Sequence, residues 1–162
     1  QRGNCPGEII HASERRPIRP GHAEELFEGE RVVIWAYGYM VETAIEVAER
    51  LRASGVEIGV VDARFAKPLD EELLARHLQT YKHVITLEDH QRAGGFGSAV
   101  LESASRLTSA AGDAARGRVK VLAIPDRFVE HKTSREEQLA EVGLDPDSIE
   151  RTIRTLLQAT RV

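Results

Sequence analysis

The chain has 162 residues, 41% hydrophobic and 30% charged, a size at which one core buries roughly 70% of the unfolded surface, so a single globular domain is the default. Lysines and arginines number 22 against 26 aspartates and glutamates, and the net charge of -4 supplies no dense positive field for nucleic acid or an anionic membrane surface. No apolar run approaches the roughly 20 residues that cross a bilayer, so neither nucleic acid nor membrane is expected as a partner.

Residues 1–30 carry Gly3, Gly7, Gly21 and Gly29 with Pro6, Pro17 and Pro20 and show no sustained period. They read as a linker from a preceding domain, with a short strand around Glu8 to His11, and residues 31–162 read as the folded domain. The cations Arg15, Arg16 and Arg19, interleaved with prolines, fit either a phosphate site or a solvated linker. Cys5 is the single cysteine; with no partner for an internal disulfide it points to a reducing, cytoplasmic setting. Met40 is the only methionine, so a chain that begins Gln1-Arg2-Gly3-Asn4 is expected to be a piece of a longer polypeptide.

Val32 to Ala36 is a continuous β-rich run of the kind buried on both faces of a parallel sheet. Val41, Ala44, Ile45, Ala48 and Leu51 then fall at helical spacing, with Glu46 and Arg50 as an i,i+4 pair and Gly55 closing the helix. Val56 to Val61 predicts a second strand. Asp70 predicts the cap of the next helix, with Leu69 stapled to Leu74 and the end near Leu78. His83 to Leu87 predicts a third strand, the Gly94 to Gly97 turn opens a helix through Ala99, Leu101 and Leu107, and Val119 to Ile124 predicts a fourth strand. Ser134 with Glu137 forms a capping box, and Asp145-Pro146 caps a last helix carrying Ile149, Ile153, Leu156 and Leu157. Strands alternating with helices require parallel crossovers. The expected fold is therefore an α/β, mostly parallel, doubly wound sheet of about four to five strands with helices on both faces.

In such sheets ligands gather beyond the carboxyl ends of the strands. Tyr37-Gly38-Tyr39 lacks a phosphate-cradling pattern and reads as a tight strand-to-helix turn. Asp62 and Arg64 lie on one side of an extended segment, placed to bind a ligand or to anchor the loop by an ion pair. Glu88-Asp89-His90 ends a strand ahead of Gly94-Gly95-Phe96-Gly97-Ser98, so free N–H groups at the helix start could hold an anion and the carboxylates could tune His90 as an acid or base. Val100 and Gly117 stand where a dinucleotide fingerprint has its third glycine and its acidic residue, and close helix packing or a second subunit uses the glycines equally well. Asp126-Arg127-Phe128-Val129-Glu130-His131 combines polar residues with Phe128 and Val129, as an ordered interface loop would. No Gly-x-Ser-x-Gly elbow, Walker loop or Cys/His zinc spacing occurs.

Taken in order, Gly38 to Val41, Asp62 to Asp70, Glu88-Asp89 with Gly94 to Ser98, and Ile124 to His131 resemble the C-terminal domain of the 1-deoxy-D-xylulose-5-phosphate synthase family, within the transketolase superfamily. The Gly-Gly-Phe-Gly turn is shared across the superfamily, including the β subunits of 2-oxo-acid dehydrogenases, whose ending differs from residues 125–131 here. A free-standing binding or regulatory module is the rival of another class. The resemblance implies a parent that condenses pyruvate with glyceraldehyde 3-phosphate on thiamine diphosphate and magnesium, cofactors held by two preceding domains. It further implies a homodimer in which this domain mainly buries surface, and an isolated chain that is catalytically silent. Arg2-Gly3-Asn4 is similar to the end of the family's Tyr-Pro-Arg-Gly-Asn segment, which implies that Arg2 binds the phosphate of the aldehyde substrate, although Gln1 stands where the family has proline. Glu88, His90, Gly94, Gly95, Phe96, Gly97, Asp126, Arg127, Phe128 and His131 are the candidates for an interface or ordered loop; no catalytic residue or metal ligand is expected in this chain.

Overall fold

The computed structural model describes residues 18–108, 118–130 and 134–159 in full and the backbone of 109–111. Strand β1 is Glu24–Phe27, β2 Val32–Ala36, β3 Gly59–Asp62, β4 His83–Gln91 and β5 Arg118–Ile124. Helix α1 spans Met40–Ala53, α2 Glu71–Thr80, α3 Phe96–Ala111, α4 Arg135–Val142 and α5 Pro146–Gln158. The five strands run in the order β1-β3-β2-β4-β5, parallel except for β1, which pairs antiparallel with β3 at one edge.

Strand β2 lies at the centre, and its five residues are all buried, which is why no polar position interrupts them. Its side chains alternate between two cores. Val32, Ile34 and Ala36 join Ile45, Leu51, Ile149 and Ile153 of α1 and α5 on one face, whereas Val33 and Trp35 join Leu73, Leu74, Leu78 and Val100 of α2 and α3 on the other. Helices therefore cover both faces, and the doubly wound sheet expected from the sequence is the fold observed.

Local signals place the helix ends. The Asp70 side chain accepts from the Leu73 N–H at 2.9 Å, Ser134 and Glu137 form the reciprocal capping box, and Asp145 accepts from the Ser148 N–H with Pro146 opening α5. Gly55, at φ 77°, follows the Ser54 cap of α1. Arg50 pairs with Glu46 and with Asp147, tying α1 to α5. Four boundaries differ from the sequence reading: β3 begins at Gly59 rather than Val56, α2 continues to Thr80, β4 runs on through Glu88, Asp89 and His90 to Gln91, and β5 begins at Arg118 rather than Val119.

The larger difference is β1. Residues 24–27 fall in the stretch read as a linker, yet they complete the sheet through tertiary ties. Glu24 pairs with Arg64, whose backbone sits at φ 55°, and Arg64 also approaches Asp62 at 3.8 Å. Glu25 accepts from His77 at 2.9 Å. The Asp62–Arg64 segment is thus an anchor for the edge strand, and burial pushes the Asp62 carboxyl above the ordinary aspartate range against the opposing effect of Arg64. The strand proposed around Glu8 to His11 lies outside the described residues.

Candidate functional site

The chain leaves β2 on one side of the sheet to reach β3 and returns to the other side with β4, so the crevice between the carboxyl ends of β2 and β4 is the switch point where such folds bind ligands. At this end of the sheet the Phe96 ring stacks on Tyr37, which follows β2, and the α3 start takes an anion from the protein itself. Glu88, near the carboxyl end of β4 and 0% exposed, sends its carboxylate to the start of α3. Oε2 accepts from the Phe96 N–H and Oε1 from the Gly97 N–H, both at 2.7 Å. The helix N-terminus that the sequence offered to an outside anion is occupied by an internal one.

The glycines make that contact possible. A Cβ on Gly95 would stand 2.5 Å from Glu88 Oε2 and 2.4 Å from the Gln91 carbonyl oxygen, and one on Gly97 would stand 2.6 Å from Val121 Cγ1 and 2.7 Å from Thr86 Oγ1. Gly95 admits the carboxylate, and Gly97 lets α3 lie close on β4 and β5. Gly94, at φ 73°, makes the left-handed turn before them. Phe96 is not the exposed interface residue anticipated: it is 3% exposed and stacks on Tyr37 at 5.1 Å between ring centroids. Apolar packing and helix capping claim this turn.

Outside that turn the carboxyl-end face is polar with aromatic insertions. His90 is 61% exposed, its Nδ1 3.9 Å from Glu88 and 4.0 Å from Asp89, too far for a hydrogen bond, and its ring lies 5.9 Å from that of Tyr37. Asp89 is instead bound by Arg135 of α4 at 2.9 Å, and the same guanidinium lies over the Tyr39 ring at 4.3 Å. Asp89 and Arg135 line a cleft of about 160 Å³ with Val129 and Leu139. Gln91 donates to Asp126, and Arg127 pairs with Glu141 at 3.0 Å. Phe128, next in the loop after the anchored Asp126 and Arg127, is 102% exposed. His131, Arg2 and Cys5 lie outside the described residues.

Sequence reasoning found the Glu88–Gly97 turn and left anion binding, close helix packing and a subunit contact open for it; the Glu88 carboxylate and the close packing of α3 take it up here, while Arg135 and Tyr39 were missed. Only the packing of α4 against the β4 end brings Arg135 to Asp89 and over the Tyr39 ring; Arg135 follows a capping serine and carries no local signal of its own. The glycine-rich start of α3 does not fit a diphosphate group, because its Phe96 and Gly97 N–H groups are already bonded to Glu88. Among the described residues no three His, Cys, Asp or Glu are grouped to hold a metal ion. No helix among them is long and apolar enough to cross a membrane.

Strand order and crossovers define a doubly wound α/β domain. The transketolase C-terminal domain family model matches residues 21–149, and the chain belongs to that family. It is 42% identical over 148 residues to the 1-deoxy-D-xylulose-5-phosphate synthase of Aquifex aeolicus, covering 91% of this chain and 22% of that protein. With the enzyme of the same name from Brevibacillus brevis it shares 42% over 157 residues, 96% of this chain and 24% of the relative. The chain thus spans under a quarter of the length of these relatives. Among solved structures it is similar to a split gene transketolase, an inactive beta4 tetramer, with a TM-score of 0.77, 30% identity, 95% of this chain covered and 47% of that one. A transketolase mutant from Pichia stipitis shares the fold, with a TM-score of 0.54 and 15% identity over 83% of this chain and 18% of that one.

Proposed function

We propose that this chain is the C-terminal domain of a 1-deoxy-D-xylulose-5-phosphate synthase and that it serves the enzyme by contact rather than by chemistry. The parent would condense pyruvate with glyceraldehyde 3-phosphate, releasing carbon dioxide, on thiamine diphosphate and magnesium held by preceding domains of the same polypeptide. What carries the reading is the 42% identity to two synthases over nine-tenths or more of the chain. The contact role draws on Phe128, an aromatic side chain fully in solvent amid residues fixed by Gln91 and Glu141. A homodimer, with this loop in its interface, is the assembly we infer.

Two measurements test the reading. Calorimetric titration of the isolated chain with thiamine diphosphate and magnesium should give no heat of specific binding; micromolar affinity would refute the assignment. Joined to the two preceding domains, the chain should support synthesis of deoxyxylulose phosphate, and a joined protein that folds and dimerises but makes none argues against this family member. Within that parent Arg2 is proposed to bind the aldehyde phosphate through its guanidinium fork.

A further inference from the structure

Strand β5 is the sheet edge opposite β1. The Arg118 N–H donates to the Lys82 carbonyl at 3.1 Å, and His83 is the partner of Arg118 in the parallel ladder. Alternation then turns the N–H and C=O groups of Lys120 and Leu122 inward toward β4, and those of Val119 and Val121 outward. No hydrogen bond takes these outward groups among the described residues. A groove of about 510 Å³ follows the edge, with Ser98 and Leu101 of α3 on one side and Thr152 of α5 on the other. Leu101 is 45% exposed there, an apolar contact with no cover among the described residues.

The charge of the groove selects its occupant. Arg92 and Lys120 line it and Arg118 begins the strand; all three are exposed, and none has a carboxylate within ion-pair distance among the described residues. A second copy pairing β5 with β5 would bring two such sets of cations together with no acid between them. Edge lysines are a known guard against that self-association. The same cations favour a strand of opposite charge, since opposed charges stabilise cross-strand neighbours.

We propose that β5 accepts an extended peptide segment bearing carboxylates at alternate positions, added edge-on to the sheet. Backbone bonds to Val119 and Val121 supply the pairing, Arg92 and Lys120 select the acidic side chains, and Leu101 covers the apolar positions between them.

The probe is a blocked peptide of alternating glutamate and valine, titrated into the isotope-labelled chain at low salt and followed by amide NMR shifts. Saturable shifts at Val119, Val121 and Leu101 are expected. Affinity should fall by about tenfold or more in an Arg92→Glu, Lys120→Glu variant, a loss of roughly 1.4 kcal/mol or more. Both side chains are exposed, so the variant should unfold at the same temperature as the parent. A glutamate–valine peptide methylated on alternate backbone nitrogens should not bind, because it cannot pair with the edge. Four results would overturn the proposal: no saturable shift, equal binding of a lysine–valine peptide, indifference to backbone methylation, or shifts centred away from β5. Self-association of the unmodified chain through β5 would also overturn it.

Discussion

Glu88→Gln tests whether the buried carboxylate, rather than any ligand, caps α3. The substitution keeps the shape of the side chain and one acceptor oxygen, but turns an NH₂ group toward whichever of the Phe96 and Gly97 N–H groups the oxygen does not take. Hydrogen bonds to a charged group contribute about 1.5–3 kcal/mol each, and a buried donor left unpaired costs about 1–3 kcal/mol. Both native bonds are 2.7 Å long and Glu88 is 0% exposed, so solvent cannot replace the lost acceptor. The expected loss is about 2–4 kcal/mol. For a chain of this size that lowers Tm by roughly 5–15 °C. Urea unfolding of the isolated chain at neutral pH, with the thermal midpoint measured in parallel, reads it directly. Glu88→Ala should lose more, because it removes both acceptors and leaves a cavity beneath Gly95. A Glu88→Gln protein within about 0.5 kcal/mol of the parent, the range of an ordinary surface change, would refute the reasoning.

Gly95→Ala should destabilise by about 1–3 kcal/mol or more, since its Cβ would meet the Gln91 carbonyl oxygen at 2.4 Å as well as the Glu88 carboxylate, and backbone cannot swing aside; a neutral effect in urea unfolding would count against the close approach. His77 accepts the Trp35 indole N–H on Nδ1 at 2.9 Å and so donates from Nε2 to Glu25, and burial holds its pKa below the ordinary imidazole value despite that carboxylate. The unfolded imidazole takes its proton near pH 6.5 and the folded one only at lower pH, so stability should fall as pH drops from about 7 toward 5. His77→Gln should flatten that slope in part, because His83 is depressed in the same direction, chiefly by burial. Within the full-length parent, Phe128→Asp should weaken dimerisation by several kcal/mol and lower activity only through that loss; a fully dimeric but inactive variant in sedimentation would show that the loop serves the chemistry. Arg2→Ala in the parent should raise KM for glyceraldehyde 3-phosphate and leave that for pyruvate alone; an unchanged aldehyde KM would end the phosphate assignment.

Much of this domain is legible one residue after another. A buried run such as Val32 to Ala36, the helical spacing of Ala44, Ala48 and Leu51, and the caps at Asp70, Ser134 and Asp145 are local: each depends on neighbours within one or two turns, so period and cap chemistry suffice to place them. The order of strands against helices then requires parallel crossovers and a doubly wound sheet. Three features depended on residues far apart in the chain. Strand β1 carries two glutamates and little β propensity, and its place comes from Arg64, His77 and the β3 backbone. The α3 N-terminus looks like an anion site from its glycines, and only the close approach of the β4 end shows that Glu88 already fills it. Phe96 and Phe128 are the same residue type in similar turns, yet one stacks beneath Tyr37 and the other stands in solvent, because the ring's surroundings are set by which elements pack against each turn and not by the turn itself.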